Sequence, residues 1–131
     1  MRARDIMTTH TIAVLPTATI DEAAEVMAAH GFTTLPVVDS TGQLVGLLSE
    51  ADVVRAPRPS GDPDTGVMLD RHDRTVSAAM RTGLGAHPDA DVASLARRMA
   101  EAGIRSLPVL ADGRVIGMVT FQDVLRTLGT G

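Results

Sequence analysis

The chain contains one seven-residue pattern twice, Gly-Phe-Thr-Thr-Leu-Pro-Val at residues 31–37 and Gly-Ile-Arg-Ser-Leu-Pro-Val at residues 103–109, which lie 72 positions apart (31 to 103). A second pattern follows each copy. It reads Gly-Leu-Leu-Ser-Glu-Ala-Asp-Val at 46–53 and Gly-Met-Val-Thr-Phe-Gln-Asp-Val at 117–124, which lie 71 positions apart (46 to 117). Two ordered patterns at nearly one spacing indicate that a single structural unit occurs twice in this chain.

The spacing changes by one residue inside a stretch that is typical of a turn. Asp-Ser-Thr-Gly at 39–42 corresponds to the shorter Ala-Asp-Gly at 111–113. A length change confined to a turn is what two copies of one folded unit tolerate. We therefore expect two similar units that pack about a pseudo-twofold axis, with two equivalent clefts between them.

Composition excludes several classes of chemistry. The 131 residues carry a formal net charge of −4 and include no Cys, Lys, Tyr, Trp or Asn. Thiol and Schiff-base catalysis, disulfides and the lysine of a phosphate-binding P-loop are therefore excluded. The acidic balance and the presence of only two aromatic residues argue against a nucleic-acid surface. No apolar run has the length of a membrane span or a signal peptide, and we expect a cytoplasmic protein.

Each copy has the pattern of a strand, a helix, two strands and a second helix. In the first copy, residues 11–15 are prone to form a strand, and the following helix has Thr19 as its N-cap and Gly31 as its stop. In the second copy Asp91 and Gly103 take these roles. The predicted class is α/β (α+β), with two β-α-β-β-α repeats packed about a pseudo-twofold axis.

Composition also suggests the domain boundaries. We predict a first repeat at 1–56, a linker at 57–75 and a second repeat at 76–131. The linker is rich in Pro, Gly and Asp, which favour exposed turns. We expect residues 57–66 of this linker to be the most mobile and protease-sensitive part of the chain.

The ordered motifs resemble a known family. Asp-Ile-Met at 5–7, the two Gly-x-x-x-Leu-Pro-Val elements and the two Gly-x-x-[Ser/Thr]-x-x-Asp elements look like a tandem pair of cystathionine-β-synthase (CBS) domains, or Bateman module. The resemblance covers both copies. It implies a pair of repeats joined through their sheets, with adenosine-containing ligands (AMP, ADP, ATP or S-adenosylmethionine) in the clefts and no required cofactor.

The resemblance also implies roles for individual residues. Asp52 and Asp123 would hold ribose hydroxyls, since a carboxylate accepts strong hydrogen bonds from a diol. Ser49 and Thr120, each at a helix start, would contact phosphate or ribose, and Arg105 would face phosphate oxygens. The remaining expected ligand-binding residues lie on the adjoining strands: Thr11, Thr34, Pro36, Ser106 and Pro108.

The same residues have structural interpretations. Ser49 with Asp52, and Thr120 with Asp123, fit helix caps with an acid three positions on, and the two roles can coexist. Arg105 equally fits a solvated arginine at a strand edge. The first copy has Thr33 at the corresponding position, so its cleft would bind weakly or prefer an uncharged ligand.

No catalytic or metal site is predicted. The four histidines do not repeat between the copies and have no zinc-ligand spacing. The leading hypothesis is a stand-alone, non-catalytic regulatory module that binds an adenosine-type ligand and signals to a separate effector protein. The alternative is a structural dimerisation or interaction domain with empty clefts. In either case we expect a homodimer, because small apolar residues allow helices to approach closely: Ala23, Ala24, Ala28, Ala96 and Ala100.

Overall fold

The structure is a computed structural model that describes residues 1–56 and 74–129. The residues predicted to be mobile, 57–66, lie outside the described part. The elements in chain order are α1 (Ala3–Ile6), α2 (Ile20–His30), β1 (Thr34–Val38), β2 (Leu44–Ser49), α3 (Glu50–Arg55), α4 (Val76–Ala79), α5 (Val92–Ala102), β3 (Ser106–Ala111), β4 (Arg114–Thr120) and α6 (Phe121–Gly129). Each repeat has the predicted order of helix, two strands and helix, preceded by a short helix that was not predicted. No described helix has the length and apolarity needed to cross a membrane.

Each repeat is built on one antiparallel hairpin. β1 pairs with β2, and β3 pairs with β4, in corresponding registers that place Thr34 opposite Ser49 and Ser106 opposite Thr120. Strand burial is nearly continuous, with residues 34–37 and 106–109 all buried. This is the pattern expected for strands covered on both faces.

The prediction of a strand over residues 11–15 is wrong, because these residues do not form a continuous strand. Only Val14 forms a bridge, parallel to Val37, and Ala86 pairs with Val109 in the same way. The Val14 amide donates to the carbonyl of Pro36 at 3.1 Å and the Val14 carbonyl accepts from Val38 at 3.0 Å. Pro16 follows two positions later and lacks an amide hydrogen, which limits how far such pairing can extend.

The predicted N-cap and glycine C-terminal residues of α2 and α5 act as expected, with one exception. The Thr19 hydroxyl accepts from the Glu22 amide at 3.1 Å, and Gly31 and Gly103 end α2 and α5 in the left-handed conformation with φ 69° and 66°. Asp91 stands at the N-cap of α5, but its side chain makes no capping hydrogen bond. The first amide of α5, that of Val92, donates instead to the carbonyl of Met1 at 3.1 Å.

The hydrogen bond between Val92 and Met1 is one of several contacts in which the first segment of one repeat packs against the other repeat. Thr8 and Met118 exchange two backbone hydrogen bonds of 2.8 and 2.9 Å, and Ala3 is fully buried in the core of the second repeat. Reciprocally, Arg81 pairs with Leu47, and Val76 is fully buried in the core of the first repeat. Each folded core therefore contains the opening segment of the other sequence repeat.

Two glycines allow these segments to pass close to the sheets. A Cβ added at Gly117 would lie 2.6 Å from Met7 Sδ and 3.0 Å from the carbonyl oxygen of Thr8. A Cβ at Gly46 would lie 2.7 Å from Met80 Sδ and 2.8 Å from the carbonyl oxygen of Arg81. The close approach explains why a glycine stands at the same place in both copies of the second motif.

The hairpin turns, where the copies differ in length, also contact each other. The carboxylate of Asp39 accepts from the Thr41 hydroxyl at 2.6 Å and from the amides of Thr41 and Gln43. These hydrogen bonds, led by that from the Thr41 side chain, lower the pKa of Asp39. The Gln43 side chain donates to the carbonyl of Asp112 at 3.2 Å, so each turn closes locally while a cross-contact ties the two repeats together.

Candidate functional site: a cleft between the repeats

A cavity of about 740 Å³ lies between the two repeats. The first copy contributes residues 8, 10–12, 31–34 and 36 to its walls. The second copy contributes residues 99, 100, 103–106, 118, 120–122 and 125. The volume is in the range of small-molecule sites. Of the predicted ligand-binding residues, six line this cleft: Thr11, Thr34, Pro36, Arg105, Ser106 and Thr120.

The other four predicted site residues do not line it. Pro108 is fully buried within β3, and Asp123 lies one helical turn beyond Thr120. Ser49 and Asp52 line neither this cleft nor a second cavity of about 510 Å³ beside the hairpin turns. The cleft of about 740 Å³ thus lies beside the second motif, and its lining includes neither Ser49 nor Asp52 of the first.

One cleft receives corresponding segments from both copies. Residues 31–34 and residues 103–106 all contribute to its wall. Thr33 and its counterpart Arg105 therefore face the same space. The interpretation that placed Thr33 and Arg105 in separate clefts is therefore wrong for these two residues, and the cleft that they share is chemically asymmetric.

Both copies of the Ser/Thr-x-x-Asp element form complete capping boxes. The Ser49 hydroxyl accepts from the Asp52 amide at 3.2 Å, and the Asp52 carboxylate accepts from the Ser49 amide at 2.8 Å. Thr120 and Asp123 repeat this arrangement at 3.1 and 3.0 Å. The structural interpretation of these residues is therefore confirmed for both helix starts.

Each aspartate also pairs with an arginine on the next turn. Asp52 Oδ1 accepts from Arg55 at 2.6 Å, and Asp123 Oδ1 pairs with Arg126. The Asp52 and Asp123 side chains are 4% and 12% exposed, whereas those of both arginines are more than half exposed. A carboxylate has about four lone-pair positions, and two are used here, so capping leaves capacity for ligand hydroxyls.

The start of α6 offers fewer free amides than the motif suggests. The Phe121 amide donates to the carbonyl of Arg105 at 2.8 Å, and the Asp123 amide donates to Thr120. Of the first three amides of this helix, that of Gln122 alone has no partner in the described part of the chain. An anion at this end would thus depend on side chains more than on the helix terminus.

Two hydroxyls in the cleft have no protein partner. They belong to the buried residues Thr34 and Ser106, which are 8% and 4% exposed, occupy corresponding positions and both line the cavity. Neither side chain makes a hydrogen bond with any described residue. Among the described residues, neither hydroxyl is a buried polar atom that lacks a partner, so both oxygens are open to the cavity. These two side chains are therefore placed to bond water or a ligand in the cleft.

Both aromatic residues of the chain line this cleft, which the motif analysis missed. Phe32 lies in the first motif of copy one and Phe121 in the second motif of copy two, and the ring of Phe32 stacks on His30 with centroids 5.3 Å apart. Ile12 and Leu125 add further apolar wall. The available signal was that both aromatic residues of the chain lie inside the repeated motifs. No group of three or more potential metal ligands occurs in residues 1–56 and 74–129.

A comparison of the sequence with models of protein families agrees with this two-repeat structure. The family model for the CBS domain matches residues 3–58 and again residues 76–130. The chain belongs to the CBS-domain family. The two matches together cover most of the chain and coincide with its two motif copies, so the chain contains a CBS pair.

A curated relative supports the same assignment over nearly the full length. The uncharacterized protein MJ1225 of Methanocaldococcus jannaschii is 32% identical over 130 residues, which cover 97% of this chain. The aligned region is 42% of that protein, so the chain spans less than half of the relative it matches.

Two solved structures share the fold of the CBS pair. The CBS domain pair of protein MJ0100, solved in complex with 5′-methylthioadenosine and S-adenosyl-L-methionine, has a TM-score of 0.82 and 30% identity, with 99% of this chain and 97% of that chain covered. CBSX2 in complex with AMP has a TM-score of 0.83 and 27% identity, with 98% and 96% covered. CBSX2 comes from Arabidopsis thaliana.

Proposed function

We propose that this CBS pair is a non-catalytic regulatory module whose inter-repeat cleft binds an adenosine-containing ligand. The observation that carries the proposal is the pair of hydroxyls, on the buried residues Thr34 and Ser106, that face a cleft of about 740 Å³ and bond no described residue. Hydroxyls that line a cavity without a protein partner are available to a ligand with hydrogen-bonding groups of its own.

The remaining walls fit the parts of a nucleoside. Apolar and aromatic side chains, including Phe32, Phe121 and Ile12, offer surfaces for a flat base. Hydroxyls of Thr34, Ser106 and Thr120 suit ribose, and the guanidinium of Arg105 suits a phosphate. The similar structures that were solved in complex with AMP, or with 5′-methylthioadenosine and S-adenosyl-L-methionine, support this class of ligand.

The ligand would regulate by favouring one packing of the repeats over another. The cleft includes residues 8 and 10–12, which continue from the opening segment that pairs with Met118. A ligand that contacts both repeats binds one arrangement better, and its effect is limited by that difference in affinity. A separate effector protein would then recognise the stabilised arrangement.

Mass spectrometry of the denatured, purified protein tests for a co-purified adenine nucleotide, and calorimetry on the stripped protein tests binding directly. With no Trp or Tyr in the chain, absorbance at the adenine band also reports a bound ligand. Thr34→Val combined with Ser106→Ala should remove binding. Ser94→Ala, an exposed hydroxyl on α5, is the matched control and should bind normally.

The alternative of an interaction domain with empty clefts rests on the capping boxes. Both aspartates have partners without any ligand, so the motif has a sufficient structural role. Failure of AMP, ADP, ATP, adenosine and S-adenosylmethionine to bind or to raise the melting temperature would favour this alternative.

A further inference from the structure

The opening segments of the two repeats make the same backbone contacts but different side-chain contacts. Thr8 and Met118 exchange two backbone hydrogen bonds of 2.8 and 2.9 Å, and Arg81 and Leu47 exchange two of the same lengths. Arg81 therefore stands in the second repeat where Thr8 stands in the first. Because Thr8 lines the cleft of about 740 Å³, the pseudo-twofold axis relates Arg81 to a residue of the cleft wall.

The side chain of Arg81 reaches across to the end of α5. Its Nη1 donates to the carbonyl oxygen of Ala102 at 3.2 Å. Ala102 is the last residue of this helix, where carbonyl groups lack partners within the helix and a cation is favourable. An arginine side chain thus joins the opening segment of the second repeat to the end of the helix that follows it.

A second arginine ties the same segment to the same helix. Arg98 on α5 donates from Nη2 to the carbonyl oxygen of Gly85 at 2.8 Å. The two hydrogen bonds run in opposite directions, since Arg81 reaches from the segment to the helix and Arg98 reaches from the helix to the segment. Residues 81–85 are therefore held against α5 at both ends.

The described part of the first repeat has no such ties. The corresponding positions carry the shorter side chains of Thr8 and Val26. No side chain within residues 8–12 makes a hydrogen bond with any described residue. The cleft lies between this segment and residues 31–34, which follow α2. Open space therefore separates the segment from the helix end in the first repeat, where arginine side chains join them in the second.

We propose that Arg81 and Arg98 hold the second, pseudo-equivalent cleft closed, so that each chain binds one adenosine-type ligand, in the cleft beside Thr120. The inference rests on the function proposed above and adds the number of sites and the residues that set it. The first motif keeps a structural use on the closed side, because Ser49 and Asp52 form a complete capping box without lining the cleft.

Calorimetry of the stripped full chain with adenosine and, separately, with AMP tests the closure. The wild-type chain should bind one molecule of each. Arg81→Thr combined with Arg98→Val installs the residues of the first repeat and should give two sites. Adenosine carries no charge, so a second site for it cannot come from a changed attraction for phosphate. Arg97→Val combined with Arg114→Thr removes two positive charges at exposed positions outside the cleft and should leave one site.

The closure can also be measured without a ligand. In the free wild-type protein, NMR order parameters of the backbone amides should be higher for residues 82–85 than for residues 9–13. In the variant with Arg81→Thr and Arg98→Val, those of residues 82–85 should fall to the level of residues 9–13. Equal order of the two segments in the wild-type protein would overturn the closure, even where the variant fails to fold.

The binding outcomes separate this inference from the proposed function. Two sites in the wild-type chain overturn the closure and leave the adenosine-binding function in place. A variant that is folded by circular dichroism and still has one site overturns the role of the two arginines, as does a second site in the control variant. Absence of binding by both ligands to the wild-type chain overturns the proposed function, and this inference with it.

Discussion

The Thr120 hydroxyl accepts a hydrogen bond from the Asp123 amide at 3.1 Å, and the Asp123 carboxylate accepts one in return from the Thr120 amide at 3.0 Å. This reciprocal pair starts α6 at the wall of the cleft. The same pair of bonds joins Ser49 and Asp52, away from the cavity. The chain therefore contains an internal control that separates capping from ligand binding.

Asp123→Ala should reduce both stability and ligand affinity. Loss of the cap costs about 1 kcal/mol, and loss of a charged acceptor for ribose lowers nucleotide affinity roughly 10- to 100-fold. Asp52→Ala should cost similar stability and much less affinity. Asp123 caps the helix whose Thr120 and Phe121 line the cleft, whereas neither Ser49 nor Asp52 lines it. Urea unfolding and calorimetry measure the two effects. Unchanged affinity in Asp123→Ala would leave capping as the sole role of this residue.

Ser106→Ala should reduce ligand affinity without reducing the stability of the protein. The Ser106 hydroxyl bonds no described residue and is open to the cleft, so its removal should change the stability of the unliganded protein by less than about 1 kcal/mol. Ligand affinity should fall. Thr34→Val, which keeps the side-chain shape, should behave alike. A destabilised but fully binding Ser106→Ala variant would contradict the assignment of this hydroxyl to the ligand.

Gly117→Ala should destabilise the protein and disturb the cleft. The added methyl group would meet Met7 Sδ at 2.6 Å and the Thr8 carbonyl oxygen at 3.0 Å, and overpacking of this kind costs about 1–3 kcal/mol. Thr8 lines the cleft, so ligand affinity should also fall. Gly46→Ala creates the equivalent clash with Met80 and Arg81, outside the cleft, and should reduce stability alone. Equal loss of affinity in both variants would exclude a local effect on the cleft.

Limited proteolysis should cut first between residues 57 and 66, because the sequence there is rich in turn-forming residues. The two fragments should stay associated, since Ala3 is buried in the second core and Val76 in the first. Size-exclusion chromatography with mass spectrometry follows both events. First cleavage within residues 107–119, or separation of the fragments in native buffer, would contradict the exchanged arrangement.

The predicted homodimer should appear as twice the chain mass in light scattering at micromolar concentration. One residue proposed for close helix approach is unavailable, because Ala23 is fully buried in the core of its own repeat. Val54 on α3 and Leu128 on α6 are 74% and 63% exposed, and their burial in an interface would be favourable. Val54→Asp with Leu128→Asp should therefore give a monomer. A monomeric wild-type chain would contradict the prediction directly.

Local chemistry explains why much of the fold could be predicted. The N-cap at Thr19 and the glycine stops at positions 31 and 103 each depend on residues within one or two turns. Asp91 did not follow this rule, since its side chain makes no capping hydrogen bond. The first amide of α5 donates to the carbonyl of Met1, a contact with a segment distant in sequence that no local rule predicts.

Sequence alone determined the internal repeat, the two hairpins, the capping boxes and the membership of the CBS-domain family, because these depend on nearby residues repeated in a fixed order. Tertiary structure decided that the opening segment of each repeat packs in the core of the other. It also decided that residues 31–34 and 103–106 line one cleft, and that the hydroxyls of Thr34 and Ser106 face this cleft without a partner among the described residues. The physical reason is that burial and pairing depend on which distant segments meet. A hydroxyl in a motif has the same local pattern whether a neighbouring segment satisfies it or leaves it facing a cavity.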